Sequence, residues 1–349
     1  MEIIPEYDLS VCIPSKRSLV DSKDSISAAI GFCESSKAEL QISDNSQDEQ
    51  KKEFWNNINL NNFNYFSSNC KTSGENWHNA AKNAKGSFIG MCSDDDLIIN
   101  ISNPDLNYSL LPHDIAGIKP SINLWTKELG FYKENNFSIT DETALERVIS
   151  YSKLCSGNNT TLYSFFRSDL LKEVQEASIK NPIKSGTDDW SLVIALVASG
   201  KIILDTSKLY IYKNQNWIKQ KQIIDEQKKL YRNINICDRA LHFSKLFRAL
   251  NGLTYITRKK SNIKRIQLLE AANYTFKKNV KYFLDYYYEN KILFLQKEKE
   301  KINLLEIDNS IEKNMDLILE IIRIWDYHVA DKYLDFYKNV TGNDWGIVK

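Results

Sequence analysis

Paired cysteines are missing from this chain. Its six cysteines (Cys12, Cys33, Cys70, Cys92, Cys155 and Cys237) are scattered, and none forms a Cys-x-x-Cys pair or joins a histidine at zinc spacing. A zinc module is thereby excluded, and reduced thiols are expected; Cys12, Cys33 and Cys92 sit inside apolar patterns, where a thiol acts as a small hydrophobe. Charge imbalance is missing too. A net charge of +1 gives no bulk electrostatic reason for a nucleic-acid partner. No apolar run spans a bilayer: the longest, "WSLVIALVASGKIIL", is interrupted by Ser199, Gly200 and Lys201. The opening "MEIIPEYDLSVCIPSKR" has no basic leader before an apolar stretch, so no signal peptide is expected. A cytoplasmic protein follows from these absences, attached at most to the inner membrane surface.

What is present is enough apolar material for a large core. The 349 residues are 42% hydrophobic and 26% charged, which suits one large domain or two ordinary ones. The first half alternates strand and helix signals. Leu9, Val11 and Ile13 alternate with Ser10 and Cys12 before Pro14; Ile26, Ala29, Ile30 and Cys33 then follow helical spacing, with Asp21, Ser22 and Asp24 available as caps. Leu40 and Ile42 mark a second strand, and Tyr65 a weaker third. A helix carrying Trp77, Ala80, Ala81 and Ala84 is expected to close at Gly86. "SFIGMC" is the next strand, and it delivers Asp94-Asp95-Asp96. Further strands are expected over 115–122, in "TTLYSFFRS", over 202–204 and over 209–212, with helices around Leu145, Val148 and Ile149, after Ser168, and from Asp188.

Such alternation predicts a mostly parallel sheet flanked by helices. From about Lys219 prolines vanish and helical periodicity takes over; Met315, Ile318, Leu319, Ile322, Trp325, Val329 and Phe336 read as one long stripe. The expected division is an α/β domain over 1–217 and a helical region over 218–349.

Ligands of open α/β sheets gather at the carboxyl ends of the strands. Pro14-Ser15-Lys16-Arg17, Asp44-Asn45 and Asp94-Asp95-Asp96 all fall there. Magnesium and manganese favour oxygen ligands and bind through one or two carboxylates plus substrate phosphates. Three aspartates at a strand end suit that chemistry, although a solvated turn would also accommodate them. Asp188 or Asp189, at a helix start, could take a proton from an attacking hydroxyl or simply cap the helix.

The stretches "LSVCIPSKR", "ISDNSQDE", "SGENWHNAAKNAKGSFIGMCSDDD" and "GTDDW" occur in the order seen in glycosyltransferase family 2, and residues 8–217 resemble that family. The resemblance implies a GT-A fold and an inverting transferase using a nucleoside-diphosphate sugar, UDP-sugars favoured, with Mn2+ or Mg2+. It implies that Pro14, Ser15, Arg17, Asp44 and Asn76 edge the nucleotide pocket, Asp44 accepting from the base. Asp94 would face the ribose, Asp95 would lie beside it, and Asp96 would coordinate the metal. Asp189 would be the catalytic base, with Asp188, Trp190 and Arg167 on the acceptor side. Two departures stand out: Pro14-Ser15-Lys16-Arg17 replaces a tyrosine- or asparagine-containing turn, and Lys213, Asn214, Gln215 and Asn216 stand where many members carry a histidine.

The expected acceptor is a glycan or a lipid-linked sugar, as in bacterial-type surface polysaccharide or glycolipid synthesis. The helical region is open to three uses: acceptor support, a homodimer, or membrane-surface contact, for which Arg258, Lys259, Lys260, Lys264 and Arg265 form a basic cluster. Two other functions compete. A catalytically silent nucleotide-sugar-binding or assembly module would retain the clefts without turnover. A sugar nucleotidyltransferase is disfavoured, because "IPSKRSLVDSKDS" lacks the glycine-rich loop such enzymes carry after the first strand.

Overall fold

The structure is a computed structural model that describes residues 5–103, 106–155, 157–183, 188–215, 218–233, 236–261 and 263–344. Residues 186 and 187 of the "GTDDW" stretch, and 216 and 217 at the expected domain end, lie outside these. The chain divides into two units: 1–140 with 152–179 and 200–224, and 141–151 with 180–199 and 225–349.

The first unit is built on a mixed sheet of nine strands among the described residues. They are β1 (Tyr7–Ser15), β2 (Glu39–Asp44), β3 (Phe63–Ser67), β4 (Gly86–Met91), β5 (Leu97–Asn100), β6 (Ile115–Thr126), β7 (Gly130–Glu134), β8 (Phe165–Arg167) and β9 (Lys201–Lys213). Their order is β3-β2-β1-β4-β8-β6-β9-β5, with β7 on β6. The quartet β3-β2-β1-β4 is parallel, as is β6 with β9, while β8, β5 and β7 pair antiparallel.

The helices are α1 (Leu19–Ser36), α2 (Glu49–Asn56), α3 (Ser73–Ala81), α4 (Ala144–Leu154), α5 (Ser168–Lys180), α6 (Asp188–Ala198), α7 (Gln220–Asn233), α8 (Ser244–Ile256), α9 (Arg265–Glu289), α10 (Gln296–Ile302), α11 (Ile311–Trp325) and α12 (Tyr327–Thr341). Helices α1, α2, α3 and nearly all of α5 belong to the first unit; α6, most of α4 and α8 to α12 belong to the second. This is the expected class, a mixed α/β sheet flanked by helices and followed by a helical C-terminal region. Among the described residues no helix is long and apolar enough to cross a membrane.

Strand β1 sits centrally, and Leu9, Val11, Cys12 and Ile13 are all buried. Both faces are therefore covered, as a parallel strand requires. Several local expectations change. Helix α1 is capped by Ser18, whose Oγ accepts from the Asp21 N–H, ahead of the expected caps. Helix α3 ends at Ala81, and Gly86 instead opens β4. A Cβ at Gly86 would lie 2.6 Å from backbone atoms of Leu9 and Ser10, so the glycine permits the close approach of β4 to β1. "TTLYSFFRS" divides into a 3₁₀ turn over Thr160–Tyr163 and the short β8. The two strands expected after Gly200 form the single long β9, because β6 pairs along its length. The long C-terminal stripe breaks at Asp326, whose carboxylate accepts from the Val329 N–H and starts α12.

One residue of the sheet core is out of character. Lys119 on β6 is completely buried; its Nζ donates to the Asn135 carbonyl at 2.6 Å and lies 4.9 Å from the Phe137 ring centre. Burial pushes its pKa down from 10.5 to about 7. Between those values the unfolded chain holds a proton that the folded chain has released, so stability rises with pH across that window and is lost as pH falls toward 7. Lys119→Met should therefore stabilise the protein at pH 6 by an amount on the order of a few kcal/mol, and by much less near pH 10. Urea midpoints at the two pH values check this; an equal difference at both would refute it.

Candidate active site

The carboxyl ends of β1, β2 and β4 are joined by one hydrogen-bonded network. The turn after β4 is closed by the Asp96 N–H on the Ser93 carbonyl at 3.2 Å. It directs Asp94 into the turn that follows β1. Asp94 Oδ2 accepts from Ser15 Oγ at 2.7 Å, from the Lys16 N–H at 2.8 Å and from the Arg17 N–H at 2.9 Å. The Arg17 guanidinium bridges the two carboxylates, with Nη1 on Asp94 and Nη2 on Asp95 at 2.6 Å. Burial works to raise the Asp94 pKa, but the Ser15 hydroxyl, the two N–H groups and the Arg17 charge together hold it below the ordinary carboxylate value.

Behind this turn lies a lysine that sequence reasoning missed. Lys51 on α2 is fully buried, and its Nζ donates to Ser15 Oγ at 2.5 Å, to the Arg17 carbonyl at 2.8 Å and to Asp44 Oδ1 at 3.0 Å. The only hint in sequence is its position one helical turn before the buried Trp55, which places both on the inward face of α2. Asp44, at the end of β2, carries two donors on each oxygen. Oδ1 takes Lys51 and the Ser46 N–H; Oδ2 takes Tyr65 Oη at 2.5 Å and Ser46 Oγ at 2.9 Å. All four of its acceptor positions are thus occupied within the chain, and one of them holds Lys51 in place.

Asn76 is internal as well. From α3 its Nδ2 donates to the Ser15 carbonyl at 3.2 Å, while its Oδ1 accepts from Ser43 Oγ and Ser68 Oγ. Pro14 pairs in register with Ser43 of β2. Arg17, 45% exposed, and Asp95, 30% exposed, reach solvent at this rim, as does the exposed Lys16.

Asp96 turns inward and is 1% exposed. Its Oδ2 accepts from Tyr210 Oη at 2.8 Å and its Oδ1 from the Lys213 N–H at 2.7 Å. Burial first, and the neighbouring Asp95 charge second, push its pKa up to about 7. Tyr210 was not a sequence candidate; it is buried on β9 and stacks on Tyr163 with ring centres 4.4 Å apart. Among the described residues no group of three or more His, Cys, Asp or Glu side chains is arranged to enclose a metal ion. Each Asp96 oxygen keeps a second lone pair, and Asp95 faces outward. That donor set suits a hard cation completed by phosphate oxygens and water, rather than an all-protein cage.

Arg167 stands apart from this rim. Its register partner is Phe88, in the amino half of β4, and its guanidinium lies 4.9 Å from the Phe88 ring centre. It donates to the carbonyls of Ile115, Leu111 and Pro112. The structure thus places the expected acceptor-side arginine at a turn-holding position away from the carboxyl ends.

Asp188, Asp189 and Trp190 open α6 in the second unit, all three partly exposed. Asp188 Oδ1 accepts from Asn251 Nδ2 at 3.3 Å, and the Trp190 ring lies 4.9 Å from the Arg248 guanidinium and 6.2 Å from the Tyr151 ring.

Comparison with known proteins finds no matching family model. No curated protein matches the chain in sequence. Among solved structures, the chain is similar to S. aureus TarS 1–349 in complex with UDP, at 13% identity and a TM-score of 0.49, covering 96% of this chain and 90% of that one. It is similar at the same identity and coverage, with a TM-score of 0.46, to S. aureus TarS 1–349 in complex with UDP-GlcNAc. Against the longer S. aureus TarS the identity is 12%, the TM-score 0.46, and the coverage 96% of this chain and 55% of that one.

The buried Lys51 ammonium is the counter-charge on which the Asp44 carboxylate depends. Lys51→Met should cost about 3–5 kcal/mol, because it strands a buried carboxylate, and Asp44→Asn in the same chain should recover part of the loss. Urea unfolding of both variants tests this; a single-variant loss below about 0.5 kcal/mol, typical of a surface change, would contradict it.

Proposed function

We propose that this chain is a nucleotide-sugar-dependent glycosyltransferase that moves a sugar, with inversion, from a nucleoside diphosphate to an acceptor hydroxyl on a glycan or lipid-linked sugar. The observation that carries this reading is the single network joining Ser15, Arg17, Asp44, Asn76 and Asp94 at the carboxyl ends of three parallel strands. Ligands of such sheets bind at that edge. The ordered stretches from "LSVCIPSKR" to "GTDDW" point the same way.

In this reading the half-exposed Arg17 fork meets the diphosphate, in the planar geometry that guanidinium offers to phosphate oxygens. Asp94 and Lys51 act from behind. They hold the turn after β1 in a fixed shape, so that Arg17 and the neighbouring backbone meet the ligand without reorganisation. Mn2+ or Mg2+, held by Asp96 with Asp95 beside it, would neutralise charge on the departing diphosphate. Asp189 is proposed as the base that takes the acceptor proton, with Asp188 and Trp190 beside it on α6.

Calorimetry with UDP, and release of UDP from UDP-glucose, UDP-galactose and UDP-N-acetylglucosamine in the presence of Mn2+, test the reading. Arg17→Ala should weaken UDP binding at least about tenfold, on the scale of one charge-assisted hydrogen bond. Asp189→Ala should keep UDP binding and lower turnover by about 10²–10⁴-fold. No UDP binding with or without Mn2+ would instead favour a silent assembly module.

A further inference from the structure

Helix α8 is apolar along most of its length, and Leu246, Phe247, Leu250, Leu253, Tyr255 and Ile256 are all at 0% exposure. Asn251 lies among them, also at 0%. A buried amide is costly unless its hydrogen bonds are made, so packing alone does not explain it. Its bonds run to other parts of the second unit. Nδ2 lies 3.3 Å from the Ile183 carbonyl and 3.3 Å from Asp188 Oδ1. Oδ1 accepts from Tyr333 Oη of α12 at 3.1 Å, and that hydroxyl also lies 3.1 Å from Thr254 Oγ1. Three residues earlier on the same face of α8, the Arg248 guanidinium lies over the Trp190 ring. One face of α8 therefore grips Asp188 and Trp190, the residues on either side of Asp189.

We infer that Asn251 is the positioning residue for the acidic start of α6, fixing the Asp188–Trp190 turn so that Asp189 is held in one orientation. The inference rests on the role proposed above for Asp189. Asn251 does not touch substrate in this account; it acts through Asp188, and Tyr333 acts through Asn251 by fixing which way the amide points. The C-terminal helices thereby take part in turnover without supplying a reacting group.

Asn251→Leu and Tyr333→Phe in the full chain test this against Asp189→Ala, using UDP for binding and the three UDP-sugars for turnover. Asn251→Leu should lower kcat by roughly ten- to hundredfold, the cost of a misplaced catalytic group, with KM and UDP affinity within about twofold of the parent. Tyr333→Phe, a near-isosteric change that keeps the core filled, should lower kcat several-fold in the same pattern and decides the matter if Asn251→Leu does not fold. Parental kcat in these variants, with Asp189→Ala inactive, would overturn the inference and leave the glycosyltransferase reading standing. A parallel loss of UDP affinity and thermal stability would mark a merely structural role and also overturn it. Full activity in Asp189→Ala would instead remove the reading on which the inference rests.

Discussion

A carboxylate taken out of water must find donors, and the rim of this sheet is organised by that requirement. Asp94 and Asp44 are both nearly inaccessible at the carboxyl ends of β4 and β2, the strands on either side of β1. Lys51 answers Asp44 directly and reaches Asp94 through the Ser15 hydroxyl, which accepts from the ammonium and donates to the carboxylate. The same ammonium holds the Arg17 carbonyl. The backbone course of the first βα turn is thus set by buried charge rather than by glycine, which that turn lacks.

The consequence is a site in two layers. Ser15, Asp44, Lys51, Asn76 and Asp94 form a satisfied inner layer, and their value lies in rigidity, because a fully bonded polar network resists rearrangement. Arg17 and Asp95, with the exposed Lys16, belong to the outer layer, where Arg17 and Asp95 hold opposite charges side by side at the surface. A ligand carrying phosphate charge meets the arginine, and a cation meets the aspartate. Asp96 belongs to neither layer alone. It ties the outer turn to β9 through Tyr210 and the Lys213 N–H, so the last long strand of the sheet supports the acidic turn. In the second unit the pattern recurs on a smaller scale, where Asn251 and Tyr333 lie behind the partly exposed residues that open α6.

Much of the local order was legible in the residues. Period-two patterning located β1 and β2, and helical spacing located α1, α3 and α6, since these signals reflect burial of one side of a regular element. Where reading failed, a distant partner had intervened. Gly86 looks like a helix stop but serves the approach of β4 to β1. The interrupted pattern after Gly200 reads as two strands, yet pairing with β6 makes one. Asp326 breaks the C-terminal stripe by capping a new helix, a choice open to any aspartate and taken only where the chain must turn.

The sequence by itself determined which carboxylates and cations stand at strand ends and helix starts, because chain order and periodicity place them there whatever else happens. Only the tertiary structure decided which of them look outward. Whether Arg167 faces a rim or three carbonyls, and whether Lys51 is solvated or wholly buried against the turn after β1, depend on neighbours tens of residues away. Burial and hydrogen-bond saturation are properties of that packed surrounding, and no spacing along the chain encodes them.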